Sequence, residues 1–305
     1  MNRNKGVYLA VYIVCGAAAL APIWLVKYPP MTDLPQYAAQ LSIIKNLHNA
    51  AFGFGGVFQV NWYSPYILAM GFSRFFYEFF DVLTALKITL SISVLALPLS
   101  IAALLKEAEA DPWLAFLGFP LCYGFSFYWG LLSFQFAVPF GFAVIALGLS
   151  YGRRRRTAIA LLLAAGCLLL FFAHLTVLFC SILILAPYLW LSGRGWSDKV
   201  RNLTPLIAPL PLVVVWLAAA RGNSPRIRFA TPAVVGERFL NLPGLLYDAD
   251  PSAWLTLLSI LWACMLLVRQ YKFRGFGPLS ITTAIVFILY LVVPSNFVGD
   301  VFLSE

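Results

Sequence analysis

Charge is what this sequence has least of. Asp, Glu, Lys and Arg together make up 11% of its 305 residues, against about 25% in an ordinary soluble domain. A chain this poor in charge does not clothe a water-soluble surface. It holds two histidines and five cysteines. The cysteines (Cys15, Cys122, Cys167, Cys180 and Cys264) all sit inside apolar runs, with no CxxC or CxxxC pair, so neither a zinc site nor a disulfide framework is indicated. Walker, GxGxxG, HExxH and GxSxG motifs are missing, and with them the nucleotide site of an ATP-driven pump. Acidic residues are almost absent from the apolar runs, which counts against a proton- or sodium-coupled carrier.

What is present is apolar length. Hydrophobic residues make up 62% of the chain, and several runs reach the roughly 20 residues that cross a bilayer core of about 30 Å. The runs are continuous rather than alternating, which excludes a β-barrel. The sequence predicts an all-α polytopic bundle, a single transmembrane domain with spans near 7–27, 83–105, 113–128, 133–150, 157–173, 175–192, 205–220, 253–268 and 278–293. The third and fourth are short, and are expected to be tilted or incomplete crossings. The first follows Arg3 and Lys5 as a signal peptide would, but it runs on through Ile23 to Val26 and reads as an uncleaved anchor.

Basic residues orient the bundle, because cytoplasmic loops retain Lys and Arg. With the N-terminus in the cytoplasm, the loops on that side carry 13 of the 21 bases and four of the 12 acids, which leaves the whole +9 excess there. The run Arg153 to Arg156 then reads as a topology anchor, and no nucleic-acid partner is needed to explain the basic charge. The aromatic-rich stretch 63–80 has to stay outside as well, since a span there would invert every later loop. Residues 28–82 become one long external loop carrying two interfacial helices, the first over 34–48. A second external segment, 221–252, holds Arg221, Arg226, Arg228 and Arg238 against the positive-inside trend. The last span is followed closely by the end of the chain near Asp300, so a longer protein cut near an external loop is expected.

Asp33 is the leading candidate for chemistry. It stands at the head of the 34–48 helix in Tyr28-Pro29-Pro30-Met31-Thr32-Asp33-Leu34-Pro35-Gln36. Its spacing to Gln36 is that of a capping box, and Pro35 suits a first helical turn. The same carboxylate is also a candidate general base at the membrane surface. Arg226 and Arg228 offer planar forks for a phosphate, or pair with Glu237, Asp248 or Asp250. His174, between two apolar runs, is either a polar turn residue or a diphosphate contact. Tyr128, Trp129 and Gln135 form an interface belt or a sugar-stacking surface. Lys87, inside a span, needs a partner and is expected to find one in Asp81, Glu78 or Asp33.

One span, an external acid and a long first loop with two interfacial helices resemble the GT-C superfamily of integral-membrane glycosyltransferases. The string from Pro29 to Leu41 also looks like a group of uncharacterised bacterial membrane proteins related to them. The resemblance implies a polyprenyl-phosphate sugar as donor, no soluble cofactor, membrane lipids as surroundings, the plasma membrane as location and Asp33 as the first-loop catalytic aspartate. It places Arg226 and Arg228 at the donor phosphate by position only. Many members carry a second acid beside the first; here Thr32 and Leu34 flank Asp33, and no ligand set for a divalent metal is marked. A lipid-linked substrate transporter or flippase and a non-enzymatic envelope scaffold are the alternatives.

Overall fold

The computed structural model describes residues 2–219, the short pairing of 226–228 with 296–298, and scattered positions between 278 and 285. In chain order the helices are α1 (Asn2–Trp24), α2 (Leu34–Lys45), α3 (Ile67–Phe76), α4 (Val82–Glu107), α5 (Gly118–Leu121), α6 (Phe125–Trp129), α7 (Leu132–Arg154), α8 (Thr157–Ala173), α9 (Leu175–Leu191), α10 (Trp196–Ile207) and α11 (Leu210–Ala219). A 3-10 stretch, Pro112–Leu117, precedes α5. Among the described residues the architecture is all-α apart from one backbone pairing, in which β1 (Arg226–Arg228) runs antiparallel to β2 (Asn296–Val298). The predicted span 253–268 lies outside the described residues, and 278–293 is described only at a few positions.

Among the described residues, three helices are long and apolar enough to cross a membrane: α1, α4 and α7. A fourth is added if α10 and α11, bent by 50° at their junction, count as one. These helices are consistent with a multi-pass membrane protein. The bend falls at Ala208–Pro209, with Pro205 and Pro211 on either side, and each of these prolines removes an amide from the helical ladder. Helices α8 and α9 have 17 residues each, just under span length, and meet at His174. The stretch 113–128, expected as a short, tilted or incomplete crossing, is a 3-10 segment followed by two short helices. Pro112, Gly118, Pro120 and Gly124 interrupt a run that hydropathy alone reads as continuous. Helix α3 is ten residues long, about 15 Å at 1.5 Å per residue, half the thickness of a bilayer core.

Two apolar clusters hold the bundle. One joins α7, α8 and α9 through Leu149, Leu163, Leu170, Phe171, Leu178 and Leu185. Within it, Gly141, Gly148 and Gly152 of α7 lie against Val177, Leu185 and Tyr188 of α9. A methyl group on any of them would collide with the facing side chain, so small residues set the helix separation. The other cluster joins α1, α2, α4, α6 and α7 through Ile23, Leu34, Leu41, Leu90, Phe127 and Phe136. Helix α1 runs antiparallel to α4, with Tyr12 Oη donating to the Leu95 carbonyl (2.7 Å) and Trp24 Nε1 donating to Ser91 Oγ (2.9 Å).

The bundle has two chemically distinct ends. At one, Arg153 and Arg154 at the end of α7 pair with Glu107 at the end of α4, and Arg153 also meets Glu109. Arg155 pairs with Asp198 of α10 at 3.0 Å. Three of the four consecutive arginines are thus tied to carboxylates. At the other end lie the C-terminus of α1, the start of α4, the start of α7 and the α8–α9 turn.

Candidate functional site

Asp33 occupies the N-cap position of α2, but its side chain makes no cap hydrogen bond. The backbone explains why. At φ −92° and ψ 5°, Asp33 is not in the extended conformation that aims an N-cap side chain at the second and third amides, and Pro35 has removed one of those amides. Asp81 shows the contrast. With φ −68° and ψ 163° it accepts from the amides of Leu83 (3.0 Å) and Thr84 (3.1 Å) and caps α4. The Thr84 hydroxyl, the Thr84 amide and the Leu83 amide hold the Asp81 carboxyl below the usual aspartate range. The expected capping box is therefore absent at Asp33, and its half-buried carboxylate takes part in none of the ion pairs among the described residues.

Backbone bonds seat Asp33 instead. Its amide donates to the Trp129 carbonyl at 3.2 Å, and the Thr32 amide and hydroxyl both donate to the Tyr128 carbonyl, at 2.9 and 3.1 Å. Below this seam the apolar neighbours Met31 and Leu34 are buried in the cluster that contains Phe127. Gly130 makes the approach possible. It ends α6 in the left-handed region at φ 86°, and a Cβ there would lie 2.7 Å from the Asp33 amide nitrogen and 3.1 Å from its Cβ. The turn is braced from beneath by Gln135, whose amide nitrogen donates to the Cys122 carbonyl (2.9 Å) and the Ser126 hydroxyl (3.2 Å).

Asp33 and the Tyr128–Trp129 pair, predicted separately, thus meet in one place, with the two aromatic side chains about half exposed. Gln135 lies beside them as a buried brace. Thr32 and Gly130 belong to the same seam and were not singled out in the sequence. The only trace of them there is a glycine closing an aromatic string. His174 stands at the same end of the bundle but in a different neighbourhood, edge-on to Tyr66 (4.9 Å between ring centroids) and Phe134 (5.3 Å). Its Nδ1 is buried with no hydrogen-bond partner among the described residues, and desolvation pulls its pKa down to about 4, so the ring is neutral at pH 7. For Arg226 and Arg228 only the backbone is described, as β1. Arg221, Arg238, Glu237, Asp248 and Asp250 lie outside the described residues.

Among the described residues Lys87 does not find an acid, neither Asp81, Glu78 nor Asp33. Its Nζ donates to the Val26 carbonyl at 2.6 Å and lies 5.7 Å from the centre of the Trp24 ring. The C-terminal end of α1, with carbonyls that have no helical partner, serves as its counter-charge. Glu78 pairs with Arg74 and, at 3.9 Å, with Lys45. Among the described residues no three His, Cys, Asp or Glu side chains gather as a metal site.

No protein-family model, curated protein or solved structure matches this chain.

Proposed function

We propose that this protein is an integral-membrane glycosyltransferase that moves a sugar from a polyprenyl-phosphate donor to an acceptor hydroxyl on the non-cytoplasmic face. The observation that carries the reading is the state of Asp33. Its backbone is fixed by the Tyr128–Trp129 seam, while its carboxylate makes no cap hydrogen bond and, among the described residues, no ion pair. A rigidly held and chemically unspent carboxylate is what a general base requires. Asp33 takes the proton of the acceptor hydroxyl. The acceptor oxygen bonds to the anomeric carbon, the bond from that carbon to the phosphate oxygen breaks, and the lipid phosphate leaves with the electron pair. Arg226 and Arg228 are proposed to carry its charge, and the exposed rings of Tyr128 and Trp129 to stack on the sugar.

The hydroxyls inside α4 favour this reading over a flippase. Thr89, Ser91 and Ser93 donate to the carbonyls of Ala85, Lys87 and Thr89 in their own helix rather than lining a polar path. The cytoplasmic position of the N-terminus and the number of spans belong to this proposal too. The test uses membranes containing the full chain and a polyprenyl-phosphate hexose labelled in the sugar, with release of the lipid phosphate as readout. Asp33→Asn and Asp33→Ala are each expected to slow transfer by about 10²- to 10⁴-fold, the usual share of a general base. Transfer that survives Asp33→Asn and fails only with Asp33→Ala would rule out the catalytic role.

A further inference from the structure

Between Lys45 and Arg74 the sequence holds 28 residues without one Asp, Glu, Lys or Arg. Residues 46–62 of this stretch form the tip of the first loop, and the tip exposes large apolar side chains beside the uncharged polar residues His48, Asn49, Gln59 and Asn61. Val57 is 79% exposed, Trp62 72%, Phe52 54% and Phe58 46%. Phe52 stacks on Phe54 at 5.4 Å, and Phe54 meets Phe58 edge-on at 6.1 Å, so the rings form one surface. Gly53 supplies a left-handed turn at φ 66°, and Gly55 lies so close to the Leu47 carbonyl that a Cβ would sit 2.9 Å from it, which folds the tip back on itself.

Both roots of the tip are pinned to one end of the bundle. Lys45, the last residue of α2, donates to the Tyr77 carbonyl at 2.6 Å, beside the exposed rings of Phe75, Phe79 and Phe80 where the chain enters α4. On the far side, Tyr63 donates to the Leu212 carbonyl and packs on Phe171, and Tyr66 meets His174 at the α8–α9 turn. Uncharged and aromatic-rich, the tip leaves and returns at the level where apolar helices end.

We propose that the tip, residues 46–62, is a membrane-surface contact that sinks into the headgroup and acyl boundary of the bilayer beside the bundle. Aromatic rings favour that layer. An apolar surface lying in the interface reaches about 5–10 Å into it. The absence of formal charge removes the largest cost that would hold the tip in water, and the headgroup layer still offers partners to its uncharged polar side chains. The lipid around the spanning helices is the partner, and the contact stands whatever reaction Asp33 serves.

The experiment uses the full chain in nanodiscs of phosphatidylcholine and phosphatidylglycerol. An environment-sensitive fluorophore is placed at Val57→Cys, and separately at Trp62→Cys, with Cys15, Cys180 and Cys264 replaced by Ala. Arg194→Cys, an exposed position in the polar loop before α10, is the control. The labels at 57 and 62 are expected to lose most of their emission to a spin-labelled lipid and little to aqueous iodide, with the reverse at 194. Strong iodide quenching at 57 and 62 would place the tip in water and overturn the proposal. Quenching by neither agent would show that protein covers the tip, and would overturn it equally. Native tryptophan emission offers a readout with the natural cysteines in place. The share quenched by brominated lipid is expected to fall in Trp62→Phe, and an unchanged share would also overturn the proposal.

Discussion

Gly130→Ala is the sharpest perturbation of the seam that seats Asp33. An alanine at φ 86° sits in a left-handed conformation that costs roughly 1–2 kcal/mol for a residue with a Cβ. Its Cβ would also lie 2.7 Å from the Asp33 nitrogen, a backbone atom with no flexible end to swing away. Relief requires the 31–33 segment to move off the turn, which strains the bonds from Thr32 to Tyr128 and from Asp33 to Trp129. Each such bond is worth about 1 kcal/mol net. Together these effects predict a destabilisation of about 2–4 kcal/mol. Gly71→Ala is the internal control. It sits in the interior of α3 with nothing within 4 Å of a built Cβ, so the change there is expected to be neutral or to stabilise by up to about 1 kcal/mol. The assay is unfolding of the purified protein in mixed detergent, followed by tryptophan fluorescence. Equal midpoints for Gly130→Ala and wild type would refute the close approach, and so would a Gly71→Ala loss as large as that of Gly130→Ala.

The two aspartates at helix starts should separate in the same unfolding assay. Asp81→Ala is expected to cost about 1 kcal/mol, as loss of a working cap does, and Asp33→Ala less than about 0.5 kcal/mol; equal losses would mean that Asp33 caps after all. The benefit from Asp81, whose carboxyl is held below its ordinary range, is present above the usual aspartate pKa and lost as the pH falls through its lowered value. His174 has a depressed pKa as well, about 4 against an ordinary 6.5. The unfolded chain therefore binds the proton first, and stability drops as the pH falls from about 6.5 toward 4, by up to about 3 kcal/mol at 1.36 kcal/mol per pKa unit. His174→Phe should flatten that part of the profile; the same slope in variant and wild type would show that the ring is not desolvated.

Long apolar runs marked α1, α4 and α7 to within a few residues, because few polar side chains interrupt them. His174, a single polar residue between two such runs, marked the α8–α9 turn just as sharply. Hydropathy marked 113–128 as a short, incomplete crossing but not its division, since aromatic residues count as apolar while prolines and glycines break the ladder. It also missed the bend between α10 and α11. At Asp33 the capping pattern was legible, but its outcome depends on one ψ angle, and that angle is set by contacts with residues almost a hundred positions away. Nothing local in the sequence announces such a pairing. For Lys87 the search for an acid overlooked a helix terminus, a partner that has no side-chain signature.

Helix α1 is attached in an unusual manner for the first helix of a bundle. Most of its length is exposed, with Gly16 and Ile23 its buried positions, so close packing holds it at few points. Its links are side chains reaching backbone or hydroxyl oxygens: Tyr12 to Leu95, Tyr123 to Ala19, Trp24 to Ser91 and Lys87 to Val26. Hydrocarbon offers no competing partner for such bonds, and water does. The α1–α4 seam is therefore a fastening that tightens as its surroundings dry and loosens as they are wetted.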